Sequence, residues 1–328
     1  MSPKKLVTVY GATGVQGGSV VDSLLQNKSH DFSLRAITRN PDSEKAKKLA
    51  ARGVEVVKAD GFHKDEVLEA FKGSWAVFVN TNTSDPALHR PGGITESGLG
   101  KLVVDAAFEA GVQYFVYSGL ASATLTTHGA VSSEGFDEKY AVGEYAKIRG
   151  FKSVVIVSAG WYMENNLVRE FAAEMGGFPF DVDDEGYLTF RAPRWGGTDE
   201  VPFISMEDDY GDLVHGVLLA PELYNGRFIH GISDKAKCEK MVSEFQKITG
   251  KKARYVPIDW KSIDTRGDPD LETVKAMFGF LQHSGGRYFG EVDDIGPARE
   301  LKARATAAKG FPEELMTLER WMHKHYSP

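Results

Sequence analysis

Cysteine is nearly absent from this 328-residue chain, which has one, Cys238. A single thiol cannot close an internal disulfide, which fits a reducing compartment. With no thiolate-stabilising residues around it in sequence, Cys238 reads as a buried, inert side chain. Long apolar runs are missing too: none approaches the ~18 residues needed to cross a bilayer, so no membrane association is expected. The opening "MSPKKLVTVYG" lacks the apolar core and small-residue cleavage site of a secretory leader, and cytosol or nucleus is the expected location. There is also no excess of positive charge. The 39 Lys and Arg face 46 Asp and Glu for a net charge of −7, and the one basic stretch, "RNPDSEKAKK" (39–48), is mixed with acids. Direct nucleic-acid binding, which needs clustered cations, is not expected. The nine histidines show no ligand spacing. His323 and His325, two apart, fall on different helix faces, so no metal site is expected.

What is present is alternation. "KLVTVYG", "FSLRAITR", "VEVVKAD", "WAVFVNT", "YFVYSGL" and "SVVIVSAG" read as strands, and the segments between them read as helices, those late in the run near 94–110 and 136–149. Strands that are apolar throughout, rather than at every second residue, signal a parallel sheet covered on both faces. The expected fold class is α/β, a doubly wound parallel sheet spanning residues 1–160. Residues 161–328 are expected to form a smaller, irregular α/β subdomain for substrate or partner, with some elements returning to the main core. In that part "VPFISMEDDYGDLVHGVLLAPE" reads as a strand and a helix whose acids suit the positive end of the helix dipole. The terminal "FPEELMTLERWMHKHYSP" reads as an amphipathic helix packing Leu315, Leu318, Trp321 and Met322 inward.

Between the first strand and first helix stands "GATGVQGG". Gly11 permits the tight exit from the strand, Gly14 lets the backbone approach a pyrophosphate, and Gly17 lets the helix pack close to the sheet. Thr13, Val15 and Gln16 fill the places between. The free N–H groups of that helix start suit phosphates, so the turn is read as a dinucleotide site. An Arg at the end of the second strand pairs with the 2′-phosphate of NADP, where an acid would bind the 2′-hydroxyl of NAD. The strand ends "AITRNP", so Arg39 favours NADP(H), with Thr38 and Lys45 or Lys47 as helpers. Asp60, Gly61 and Phe62 in "KADGF" fall where the adenine lies, and Asn80, Thr81 and Asn82 in "VNTNT" run along the cofactor crevice.

"VYGATGVQGGSV", "AITRNP", "VFVNTN", "FVYSGL", "EGFDEKYAVGEYAK" and "SAGWYMENN", in this order, resemble the NmrA-like proteins, a branch of the atypical short-chain dehydrogenase/reductases. The resemblance spans roughly residues 4–235. It implies a Rossmann domain, NADP(H) binding and a smaller C-terminal subdomain, in a family that holds both redox-sensing regulators and reductases. It assigns Ser118 to the catalytic serine and Lys139 to the catalytic and cofactor-holding lysine. The tyrosine of Y-x-x-x-K is missing, since Gly135 stands four residues before Lys139. Tyr140 and Tyr145 are out of register on the helix.

Two functions follow. One is an NADPH-dependent reductase of a small carbonyl, imine or activated alkene, with protonation from Tyr162, Ser118 or water. The other is a non-catalytic redox sensor acting through a regulatory protein. Tyr162, Met163, Glu164 and Asn165 are expected either to face the nicotinamide or to form a strand-to-helix connection capped by Asn165. Phe178, Phe180, Tyr187, Phe190 and Trp195 are expected to be core, with substrate lining the alternative. The loop 82–98, carrying His89 and Arg90, is expected to act as a lid or as a segment ordered by cofactor.

Overall fold

A computed structural model describes residues 4–327. Its main sheet has seven parallel strands in the order β10-β6-β5-β4-β1-β2-β3: β1 (Lys5–Tyr10), β2 (Phe32–Thr38), β3 (Glu55–Lys58), β4 (Ala76–Val79), β5 (Tyr114–Tyr117), β6 (Ser153–Ala159) and β10 (Phe228–Gly231). Every residue of β4, β5 and β6 is buried, as uniform hydrophobicity requires when helices cover both faces. Helices α1 (Val15–Leu25), α2 (Glu44–Ala51), α3 (Lys64–Phe71), α4 (Glu96–Glu109), α5 (Ala123–Thr126) and α6 (Glu134–Lys147) lie between the first six strands. Helices α3, α4 and α6 close one face over Val77, Val79, Phe115 and Tyr117, while α1 packs on the other over Val7, Val9 and Phe78. Successive connections run outward from β1 in opposite directions, to β2 on one side and β4 on the other. The carboxyl ends of β1 and β4 therefore frame the crevice where doubly wound folds take their ligands.

The second half begins with β7 (Trp161–Tyr162), α7 (Arg169–Glu174), β8 (Leu188–Pro193), β9 (Val201–Ile204) and α8 (Gly211–Leu219). After β10 come β11 (Asp234–Ala236), α9 (Cys238–Thr249), β12 (Ala253–Ile258), α10 (Pro269–Ser284), α11 (Gly296–Lys309) and α12 (Leu318–Tyr326). Strands β11, β9 and β7 form a three-stranded sheet, and β12 pairs in parallel with β8. Helices α8 and α11 leave this part to complete the cover over α1.

The aromatic segment is core. Phe178, Phe190 and Trp195 are buried, and Trp195 stacks on Tyr288 and meets Trp161 edge-on. Phe180 and Tyr187 sit half-buried under the guanidinium groups of Arg169 and Arg254. The void among these rings, about 10 Å³, holds no more than a water. Cys238 borders it, and burial pushes its thiol up to about 12, which leaves it unreactive. As expected, α12 buries Leu318, Trp321 and Met322, and Leu315 packs just ahead of it.

The acids around residue 208 stand in the first helical turns, as expected, but the capping side chain is none of them. The cap is Ser205, whose hydroxyl accepts from the Asp208 amide at 3.1 Å. Asp209 and Asp212 are fully buried instead, each 2.9 Å from the Lys302 ammonium, and Lys309 reaches Asp212 at 2.6 Å. Ser23 of α1 donates to Asp212, and His215 joins Ser23 at 3.0 Å. An acid near a helix start reads locally as a cap, but here lysines about ninety residues later draw two of them inside.

Candidate dinucleotide site

The glycine turn has the geometry its sequence predicts. Gly11 leaves β1 at φ +79°, a left-handed conformation that suits glycine, and a Cβ there would press on the Asn80 carbonyl oxygen at 3.1 Å. A Cβ on Gly17 would lie 2.3 Å from the Gly11 carbonyl oxygen, so helix and turn touch backbone to backbone. Gly14 is the N-cap of α1. Unlike Ser43 and Thr95, which cap α2 and α4 with their side chains, it gives the helix no capping oxygen, and no acid occupies the first turn. The amides of Val15, Gln16 and Gly17 thus lack the intrahelical partners that later residues have. Gln16 is nine-tenths buried, donates through Nε2 to the Tyr162 hydroxyl at 2.5 Å, and keeps its Oε1 without a partner. These features fit an anionic dinucleotide backbone at the turn.

At the end of β1, Tyr10 packs against Gly61, whose Cα lies so near the phenol oxygen that a Cβ would overlap it. Burial, then the charges of Asp60 and Asp85 against that of Arg39, pushes the Tyr10 phenol up to about 12. Asp60 turns its carboxylate onto the Phe62 amide at 3.2 Å, shaping this corner. Arg39 is exposed at the end of β2, but it is not free: Nη1 donates to Asp85 of the loop after β4 at 2.8 Å. Sequence reasoning did not anticipate Asp85, which lies forty-six residues away.

The three residues expected to act on substrate have separate partners. Lys139 directs its ammonium to the Thr81 carbonyl at 2.8 Å, to the Thr81 hydroxyl at 2.9 Å and to Glu96. Its three donors are satisfied, and the Thr81 hydroxyl in turn donates to Glu96 at 2.5 Å. Lys139 therefore fixes the end of β4, and must give up one of these bonds to meet a nicotinamide ribose. Ser118 is buried just beyond β5, near enough to the Tyr210 phenol to temper the rise that burial imposes on it; Tyr210 is a residue the sequence reading passed over. Tyr210 ends a π-helical turn over Met206–Tyr210 and donates to the Val157 carbonyl at 3.0 Å. Tyr162 bonds Gln16, and burial raises its phenol. Glu164 is structural: it accepts from the Ser205 hydroxyl and the Met206 and Glu207 amides, all at 3.1 Å. Asn165 makes no side-chain cap, and the N-cap of α7 is Val168. Asn82 is exposed at the start of the loop, where its carbonyl accepts from the Asp85 amide at 3.1 Å.

The absence of the usual tyrosine has a steric counterpart. A Cβ on Gly135 would meet Thr273 of α10 at 3.1 Å and Thr83 at 3.3 Å, so helix and loop occupy that space. Beside Gly135 a cleft of about 550 Å³ opens, lined by Thr83, Leu88, His89, Arg90, Glu96, Glu134, Glu272 and Thr273 among others. The loop expected to act as a lid is one wall and α10, unread in the sequence, is the other. Among the described residues no cluster of His, Cys, Asp and Glu is placed to hold a metal ion, and no helix is long and apolar enough to cross a membrane.

Comparison with known proteins places this geometry. Several relatives cover nearly the whole chain. The NmrA-like family domain-containing oxidoreductase FrzB of a Cladobotryum species is 47% identical over 98% of each chain, and its counterpart lnaB of Aspergillus flavus is 48% identical over 95% of each. NmrA, a negative transcriptional regulator solved with NADP, superposes with a TM-score of 0.76 at 19% identity, covering 99% of this chain and 96% of its own. A quinone oxidoreductase from Escherichia coli solved with NADPH gives 0.68 at 20% identity, over 97% and 99%. At such identities the two structures share the fold. The sequence profile of the NmrA-like family matches residues 3–321, and with the glycine turn, the sheet order and the full-length relatives it establishes that this chain belongs to the NmrA-like family.

Proposed function

We propose that the protein is an NADP(H)-dependent oxidoreductase acting on a small organic molecule. The observation that carries the reading is the uncapped, acid-free start of α1 behind Gly11 and Gly14, with buried Gln16 linking it to Tyr162 of the second subdomain. The relatives of nearly half-identical sequence are named as oxidoreductases, and two structural neighbours hold NADP or NADPH, which supports the same reading. Residues 11–17 would hold the pyrophosphate, Arg39 the 2′-phosphate, Asp60, Gly61 and Phe62 the adenine, and Thr81 with Asn82 the crevice. When bound, NADPH supplies a hydride from nicotinamide C4.

The chain's own part is orientation and protonation. The cleft beside Gly135 accepts the substrate, with Glu96 and Lys139 fixing its floor through Thr81. Tyr162 is kept in its phenol form by burial, and even a raised phenol is a far stronger acid than the alcohol formed by carbonyl reduction. Tyr162 does not line the cleft itself but sits against Gln16 beside the glycine turn, so an oxyanion that extends from the cleft toward the turn would take its proton favourably. The Ser118 hydroxyl, buried beyond β5, provides a second donor at the same end of the sheet.

The test uses purified protein with NADPH deuterated at C4 on either face, incubated with a small-molecule extract of source cells and read by mass spectrometry. A metabolite gaining one deuterium is the expected result. Bound NADPH with no label transferred would refute the reading and favour a sensor that signals to a regulatory protein.

A further inference from the structure

Arg39 offers a fork of donors to solvent, yet one arm is already engaged. Its partner, Asp85, has a side chain only 9% exposed, whereas that of Arg39 is 59% exposed. The carboxylate is fixed by its own loop. Oδ1 accepts from the Ala87 amide at 3.0 Å while Oδ2 faces Arg39, and the Leu88 amide returns to the Asp85 carbonyl at 2.9 Å. The neighbouring Ser84 donates to Asp270 at the start of α10 at 2.6 Å, and His89 bonds the Thr83 carbonyl at 2.9 Å. Two consecutive residues, Ser84 and Asp85, thus tie the loop wall of the cleft to α10 on one side and to Arg39 on the other.

We propose that Asp85 is a cofactor-specificity residue that occupies the 2′-phosphate position on Arg39, so that NADP(H) must displace it while NAD(H) leaves the pair intact. The inference rests on the assignment of Arg39 to that phosphate. A phosphate dianion brought to Arg39 meets the Asp85 carboxylate at close range, and like charges there oppose binding. The 2′-hydroxyl of NAD(H) is instead a donor that a carboxylate accepts, the role usually given to an acid at the end of β2. Binding of the phosphate frees Asp85 from Arg39 and removes one of the two ties on the segment that walls the cleft. Cofactor identity is thereby passed to the substrate side.

The experiment compares wild type, Asp85→Asn and Arg39→Ala by titration with NADPH and with NADH. Hydrogen exchange of residues 82–91 in the wild type with each cofactor provides a readout independent of any variant. Asn keeps an oxygen for the Ala87 amide, so the turn is retained while the charge is lost. The expected result is that Asp85→Asn raises the NADPH-to-NADH affinity ratio roughly three- to tenfold at low salt, with the gain shrinking as salt is added. In the wild type, NADPH should speed exchange in the loop relative to NADH. An unchanged or lowered ratio in Asp85→Asn, with Arg39→Ala still losing NADPH selectively, would overturn the role of Asp85 and leave Arg39 in place. Equal loss of both cofactors in Arg39→Ala would remove the assignment of Arg39, and the inference with it. Equal loop exchange with the two cofactors would overturn the release of the loop.

Discussion

Replacing Gly17 by Ala separates the structural use of a glycine from its use in binding. The added Cβ would lie 2.3 Å from the Gly11 carbonyl oxygen, 2.7 Å from its carbon and 2.8 Å from the Ala12 Cα. All three neighbours are backbone, so no side chain can swing aside, and α1 must back away from the turn by about 1 Å to restore ordinary contact. Overpacking of this kind costs about 1–3 kcal/mol, and the rigid neighbours place Gly17→Ala near 3 kcal/mol. For 328 residues, at about 2.1 cal/mol/K of unfolding entropy per residue, that lowers the melting temperature by roughly 4 °C. Gly14→Ala is the control. Its Cβ would meet only the Gly11 carbonyl oxygen, at 3.3 Å, and Gly14 already has extended backbone, φ −83° and ψ 174°, which alanine adopts freely. It should melt within about 2 °C of wild type yet bind NADPH at least about tenfold more weakly, because its methyl group enters the space where backbone meets pyrophosphate. Thermal melting and cofactor titration on the two variants are sufficient. A Gly17→Ala protein as stable as wild type would refute the packing argument, and a Gly14→Ala protein with full NADPH affinity would refute the phosphate cradle.

Burial lowers the His215 imidazole to about 4 against the attraction of Asp212, so it is neutral in the folded protein while the unfolded chain titrates near the ordinary value of 6.5. Its contribution is complete above about pH 6.5 and declines as pH falls toward 4, by about 3 kcal/mol in all. Urea unfolding across that range should show a shallower decline in His215→Asn, and parallel curves for the two proteins would count against the assignment. Gly135→Tyr restores the Y-x-x-x-K spacing but must push Thr273 and Thr83 apart. We expect a loss of about 2 kcal/mol and no gain in deuteride transfer, and a faster, equally stable variant would show that α10 yields there.

The main sheet was legible because its central strands β4, β5 and β6 are buried on both sides, so hydrophobicity alone marks them, while the exposed edge strand β3 was marked by its place in the strand–helix alternation. β10 was not: a four-residue strand at a sheet edge, "FIHG", carries no such signature. The cofactor end was legible wherever one residue type fits one backbone task, as at Gly11 and Gly17. It became illegible where two distant residues share a task. Asp85 reads as an ordinary loop acid until the fold brings it to Arg39, and Lys139 reads as a free ammonium until Glu96 and Thr81 surround it. Tyr210 was missed because its turn has no marker beyond an acidic run, and Gly135 read as a missing side chain rather than as the contact point of α10.

The helices that back the sheet have a consequence for how the protein is made. α8 and α11 cover the face that holds α1, and the Lys302 and Lys309 ammonium groups that neutralise Asp209 and Asp212 come from α11. A ribosome that has released only the first 160 residues has therefore issued a complete glycine turn on a sheet with half of one face bare and without its edge strand β10. At about 5–20 residues per second, that face waits many seconds for its cover. The bare apolar face is aggregation-prone during this interval, and α8, the helix that packs directly on α1, begins only at residue 211, so the nucleotide turn, though encoded first, waits for its backing.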